Sequence, residues 1–160
     1  MKTSTMFIGA CAVVAAALLQ PTTACAQASD EAQIRALEDS FAAGVRAKDL
    51  DAIMKVYVPD ETLFVFDVVP PRQYVGAEAY RKDWEEFLND LDGPVKFEIT
   101  DLAIMADGNL GYSHSIQHVS GTNKKGEVLE LILRVTDAYR KIDLAGGHGT
   151  RLGAGQSRHR

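Results

Sequence analysis

Cysteine is almost missing from this chain, and so are a long apolar run and a surplus of basic charge. The two cysteines, Cys11 and Cys25, both lie within the first 28 residues. If that segment is removed, no cysteine remains, which excludes a thiol nucleophile, a disulfide framework and a thiolate metal site. The apolar run Met6 to Leu19 is shorter than the roughly 20 residues a membrane-spanning helix needs. Beyond residue 28 the balance is 16 basic against 22 acidic residues. That argues against nucleic acid as a partner, because nucleic acid calls for a basic surface. There is no Gly-rich phosphate loop, no nucleophile elbow and no H-x-H or H-E-x-x-H pattern. Nucleotide use, serine-hydrolase chemistry and metal binding therefore have no support, and no cofactor is expected.

What the first 28 residues do contain has the form of a secretory leader. Lys2 is the only charge before Asp30, and Ala24-Cys25-Ala26 and Ala26-Gln27-Ala28 both fit the small-x-small rule for cleavage. The expectation is a signal peptide over 1–28 and secretion, most simply to a bacterial periplasm, with no membrane contact after cleavage. A membrane anchor and lipidation at Cys25 are the alternatives. About 132 residues then remain, enough for one domain with its own core.

Ile34, Leu37, Phe41 and Val45 recur on one face of a helix, with Ser29 or Asp30 as its cap. Asp49 can cap a short second helix carrying Ile53 and Tyr57, and Pro59-Asp60 ends it. Thr62 to Asp67 reads as a strand. Gly76 to about Leu91 reads as a third helix, with Tyr80, Trp84, Phe87 and Leu88 along one face. Asp92-Gly93-Pro94 breaks that helix, and three long strands follow. The second of them carries Tyr112, His114, Ile116 and His118 on one face. The third carries Leu129, Leu131, Leu133, Val135, Asp137 and Tyr139 on one face. Helices first and meandering strands later predict an α+β fold, with helices on one side of a curved antiparallel sheet.

Asp67 is the first candidate for chemistry. It closes the apolar run Leu63-Phe64-Val65-Phe66, and an acid there is costly to bury without a partner or a purpose. The bland alternative is that it caps a loop. Asp137 lies among apolar neighbours on its strand face, or else pairs with Arg134 or Arg140. His114 and His118 share a strand face but stand about 13 Å apart, too far to hold one metal ion. His114 could serve as a general base or hydrogen-bond donor; His118 reads better as a rim residue.

The stretch from Asp49 to Leu91, DLDAIMKVYVPDETLFVFDVVPPRQYVGAEAYRKDWEEFLNDL, resembles the ketosteroid-isomerase-like (SnoaL-like, polyketide-cyclase-like) members of the nuclear-transport-factor-2-like superfamily. The resemblance covers about residues 31–143. It implies a cone-shaped fold, three N-terminal helices on a curved sheet, a pocket for a small apolar or polyketide-like molecule, and a homodimer. In ketosteroid isomerases a strand-borne Asp is the general base, and a second, protonated Asp shares the oxyanion hole with a Tyr. The resemblance places Asp67 at the base position and Asp137 at the protonated-acid position, with His114 as a further catalytic candidate. Phe41 takes the place of the tyrosine and cannot donate a hydrogen bond. One lost oxyanion donor costs on the order of 10²–10³ in rate, so the implied activity is an isomerase, cyclase or dehydratase by proton abstraction, or binding alone. Phe41, Tyr57, Trp84, Tyr112 and Tyr139 are the candidate ligand-binding residues.

From Leu144 the composition changes to LAGGHGTRLGAGQSRHR, with no strand or helix period. A disordered tail over 144–160 is expected. In the resembled family the final strand follows at this point. Codons permitted for Leu144 to Gly155, read one base later, can encode Trp-Arg-Val-Val-Thr-Glu-His-Val-Ser-Val-Pro-Val, close to that strand. This predicts a frameshifted end, a missing last strand and an open sheet edge.

Overall fold

A computed structural model describes residues 22–68, 70–144, 147–152 and 156–159, with side chains over 30–68 and 70–142. Most of the expected leader lies outside the described residues. The first helix, α1, runs Thr22–Ala47. It begins before the cap expected at Ser29 or Asp30, because the alanines of Thr-Thr-Ala-Cys-Ala-Gln-Ala-Ser propagate a helix well and nothing there stops one. Its buried stripe is Ile34, Glu38, Phe41, Ala42 and Val45, while Leu37 is only half-buried. α2, Leu50–Met54, starts as expected: the Asp49 side chain accepts the Ala52 N–H at 3.0 Å.

β1 (Phe64–Phe66) and β2 (Tyr74–Val75) form a short antiparallel pair. α3, Ala77–Asp90, follows from Gly76. Gly76 has φ 84°, and a Cβ on it would come within 2.8 Å of the Glu61 carboxylate, so this entry to α3 requires glycine. β3 (Leu91–Asp107), β4 (Leu110–Asn123) and β5 (Val128–Leu144) make the antiparallel meander. Two irregularities interrupt the β3–β4 register. One lies between Thr100 and Ala103, where Asp101 has φ 52°. A bulge of this kind bends the strand and increases its twist, so the sheet curls around the helices.

The tail departs from expectation. It contains β6 (Gly147–Leu152) and β7 (Gln156–His159). β6 pairs antiparallel with the end of β5, from Tyr139 opposite Leu152 to Leu144 opposite Gly147. β7 pairs antiparallel with Arg134–Thr136 of β5 and parallel with Val65–Phe66 of β1. The sheet order is β2-β1-β7-β5-β4-β3, with β6 also on β5. This pairing corrects the expectation of an unstructured tail and an open β5 edge. Strand pairing is made by backbone N–H and C=O groups, which every non-proline residue carries, so it needs no apolar period.

The core lies between the helices and the inner sheet face. Phe41 is at its centre, with ring centroids 6.1 Å from Tyr57, 5.6 Å from Trp84 and 5.4 Å from Phe97, each edge-on.

Candidate functional site

Along β4, Ser113, Ser115, Gln117 and Val119 point inward and are buried. Tyr112, His114, Ile116 and His118 are on the outer face. His114 is exposed beside Tyr112, and His118 pairs with Glu130 at 3.4 Å. The expectation that His114 and Tyr112 serve the pocket is thus corrected. Both faces of β4 carry similar mixtures of residues, and the small polar face proves to be the one that packs on α1. β5 matches its expected pattern, with Leu129 through Tyr139 inward at alternate positions.

The inner face and helices enclose two different environments. One is a buried polar cluster beneath α1. Tyr139 donates to Glu38 Oε1 at 2.5 Å, and Ser113 Oγ lies 2.7 Å from the Tyr139 hydroxyl. Since the phenol has one hydrogen, Ser113 donates to it. Asp137 is 1% exposed and sits directly across from Ser113. Burial, then the negative charges of Asp137 and Glu38, hold the Tyr139 phenol protonated far above its usual range.

The other is a cavity of about 410 Å³ between α3, the end of β1 and the wide end of the meander. Trp84 and Phe87 from α3, Phe97 from β3, Val119 from β4, and Leu129, Leu131 and Leu133 from β5 form its apolar wall. Asp67 enters beside Val68, where β1 ends. Its Oδ1 accepts the Val68 N–H at 2.6 Å and its Oδ2 lies 3.4 Å from the Tyr80 hydroxyl. The loop-capping and cavity readings of Asp67 therefore hold together. Asp83, Asp90, Asn123 and Glu127 complete the polar part of the lining. Tyr74 donates to Asp83 at 2.5 Å, and burial followed by this carboxylate raises the Tyr74 phenol well above its usual range.

Of the eight residues singled out in the sequence, the cavity wall includes Asp67 and Trp84. Phe41 and Tyr57 are 2% and 1% exposed and belong to the aromatic core, because Phe41 is enclosed by three other rings. Tyr139 and Asp137 belong to the polar cluster, and His114 and Tyr112 to the outer face. Glu38 and Asp83 were missed. Glu38 could have been found from its spacing of four after Ile34, which puts it on the buried stripe; Asp83 has no such signal beyond lying next to Trp84.

The sequence model of the SnoaL-like domain matches residues 37–146. The chain belongs to the SnoaL-like domain family. No curated protein matches it. Among solved structures it is similar to a nuclear-transport-factor-2-like protein of unknown function from Pseudomonas putida, with 25% identity and a TM-score of 0.69, over 82% of this chain and 86% of that one. A nuclear-transport-factor-2-like superfamily protein from Salmonella enterica aligns with a TM-score of 0.72 at 11% identity, over 82% and 91%. A ketosteroid-isomerase-like protein from Erwinia carotovora aligns at 0.63 and 17% identity, over 78% and 92%. These structural alignments show the SnoaL-like chain's fold: an α+β cone of the nuclear-transport-factor-2-like type.

Proposed function

We propose that this SnoaL-like protein binds a small, largely apolar molecule in the cavity beneath α3. The observation that carries the reading is a space of about 410 Å³ walled by Trp84, Phe87, Phe97 and four leucines, with polar groups confined to a few positions. That is the usual size and composition of a small-molecule site. A thermal-shift screen of apolar compounds, followed by Trp84 emission, tests it. Trp84 is the only tryptophan, so a bound ligand shifts the spectrum. Saturating ligands that raise the melting temperature but leave the emission unmoved would place binding elsewhere.

A second reading, proton abstraction of isomerase, cyclase or dehydratase type, is favoured by one contact. Asp67 reaches the cavity with the Tyr80 hydroxyl 3.4 Å from its Oδ2. Asp67 would be the base. His114 and Asp137 do not line the cavity with it, and Tyr80, also outside the lining, positions the Asp67 carboxylate from behind through this contact.

We also propose that the chain is exported and that copies of it pair. The charge-poor apolar segment before Asp30 supports export. Met105, opposite Tyr112, and Ile132, opposite His118, stand exposed on the outer sheet face and support pairing. The mass in solution, with and without Ile132→Glu, tests the second point: a mass unchanged by the substitution would remove this face from the interface.

A further inference from the structure

Every ionisable residue in the described cavity lining is an acid: Asp67, Asp83, Asp90 and Glu127. No lysine, arginine or histidine is among them. The positive groups that come near lie behind the wall or at its rim. Arg46 donates to the Phe97 carbonyl at 3.0 Å and Lys48 to the Leu91 carbonyl at 3.0 Å, both from the α1 side. Lys124 and Lys125 are exposed on the turn after Asn123. Asn123, the neutral polar residue of the lining, already donates its amide to Glu127 at 2.7 Å. An anionic ligand would therefore meet carboxylates and few free donors. A low-dielectric wall strengthens that repulsion.

A second observation comes from the sheet beside the cavity. Gln117 is 1% exposed, and neither its Oε1 nor its Nε2 has a hydrogen-bond partner among the described residues. It stands on the inner face directly opposite Leu133 and two positions before Val119, both cavity residues. A buried primary amide with nothing to bond is costly. Among the described residues no three His, Cys, Asp or Glu side chains converge as metal ligands. The positive charge that suits this lining is thus one carried on an organic molecule.

We infer that the cavity takes an amphiphilic organic cation. Its apolar body packs on Trp84, Phe87 and the β5 leucines. Its ammonium faces the carboxylate side, between Asp67 and Asp83, where the Trp84 ring face adds attraction for a cation. This inference rests on the proposed use of the cavity for binding, and the experiment separates the two.

Phenylbutylamine, phenylbutanol and phenylbutyrate share one apolar body and differ in charge. Their affinities for the full chain are measured by calorimetry, with Trp84 emission as the site-specific readout. The expected order is amine, then alcohol, then carboxylate, with the amine about tenfold or more above the alcohol. Raised salt should narrow that ratio. Asp83→Asn and Glu127→Gln should each narrow it as well, by lowering the amine affinity more than the alcohol affinity; two separate variants guard against one that folds poorly. If the alcohol binds at Trp84 as well as the amine does, or the carboxylate binds better, the cation inference is overturned and the binding site stands. If none of the three moves Trp84 or yields heat, both are overturned.

Discussion

Tyr139 on β5 donates its hydroxyl hydrogen to Glu38 on α1, 101 residues earlier, at 2.5 Å, and the two lie fully inside the protein. This bond ties the first helix to the third strand of the meander. A buried charged acceptor makes it strong, and it fixes the helix in one rotation about its axis.

Tyr139→Phe should cost about 1–3 kcal/mol, because Glu38 loses this donor while remaining buried. Glu38→Leu combined with Tyr139→Phe should cost less than the sum of the two single substitutions, by about 0.5–3 kcal/mol. Urea unfolding of the four proteins in the cycle measures it. Additive single effects would mean that the contact contributes little.

Alkaline pH should unfold the protein. Tyr139 and Tyr74 have phenols raised above the ordinary value of 10.0, chiefly by burial. Their neutral forms are the ones the folded state favours. Below pH 10 both states are protonated and this contribution is intact. As pH rises above about 10 the unfolded chain releases these protons and the folded chain keeps them, so stability falls. An absorbance titration of the five tyrosines should show at least two that ionise only as the far-ultraviolet signal is lost. Full ionisation of all five in folded protein would contradict this.

Asp67→Asn keeps the size of the side chain and removes its charge. Under the binding reading, neutral ligands should bind about as before. Under the proton-abstraction reading, turnover of any substrate found should drop by a factor of at least 10². Undiminished turnover in the variant would end the role of Asp67 as a base.

Truncation after Asp143 should lower the melting temperature markedly. It strips β6 and β7 from β5 and leaves Val65 and Phe66 of β1 without the parallel partner β7 supplies. Unpaired strand groups become an edge that invites association. A truncated chain that melts at the same temperature would show that these strands add little. Replacing the tail with the adjacent-frame sequence given above should then also have no effect.

Exported protein should begin at Gln27 or Ser29 on N-terminal sequencing; finding Met1 on it would exclude cleavage.

The fold was largely readable because its signals are local and repeated. The Asp49 cap, the α3 stripe of Tyr80, Trp84 and Leu88, and the alternation of β5 each survive into the structure. The site was less readable, for reasons particular residues make plain. Alternation along β4 fixes two faces but does not say which is inside, and the face with Ser113 and Gln117 looks the less suitable of the two. Phe41 and Trp84 are both inward aromatics, yet one is enclosed by rings and the other borders open space; only the third dimension separates them. Asp67 was found because an acid ending an apolar strand is anomalous in one dimension already. Glu127, on a turn, is an ordinary surface residue until the cavity is seen beside it. The tail misled in another way: its pairing uses backbone groups, which leave no trace in side-chain periodicity.

The bulge between Thr100 and Ala103 divides the meander into two territories. Toward the β3–β4 turn, Ser113 and Tyr139 meet Glu38 in a fully packed polar knot. Toward the other end, Phe97, Val119 and Leu131 stand in one row and leave space. Substitutions in the first territory are paid in stability, whereas those in the second reshape the cavity wall. A lineage built this way can alter a row of side chains and keep its architecture, which accounts physically for one cone hosting unrelated tasks.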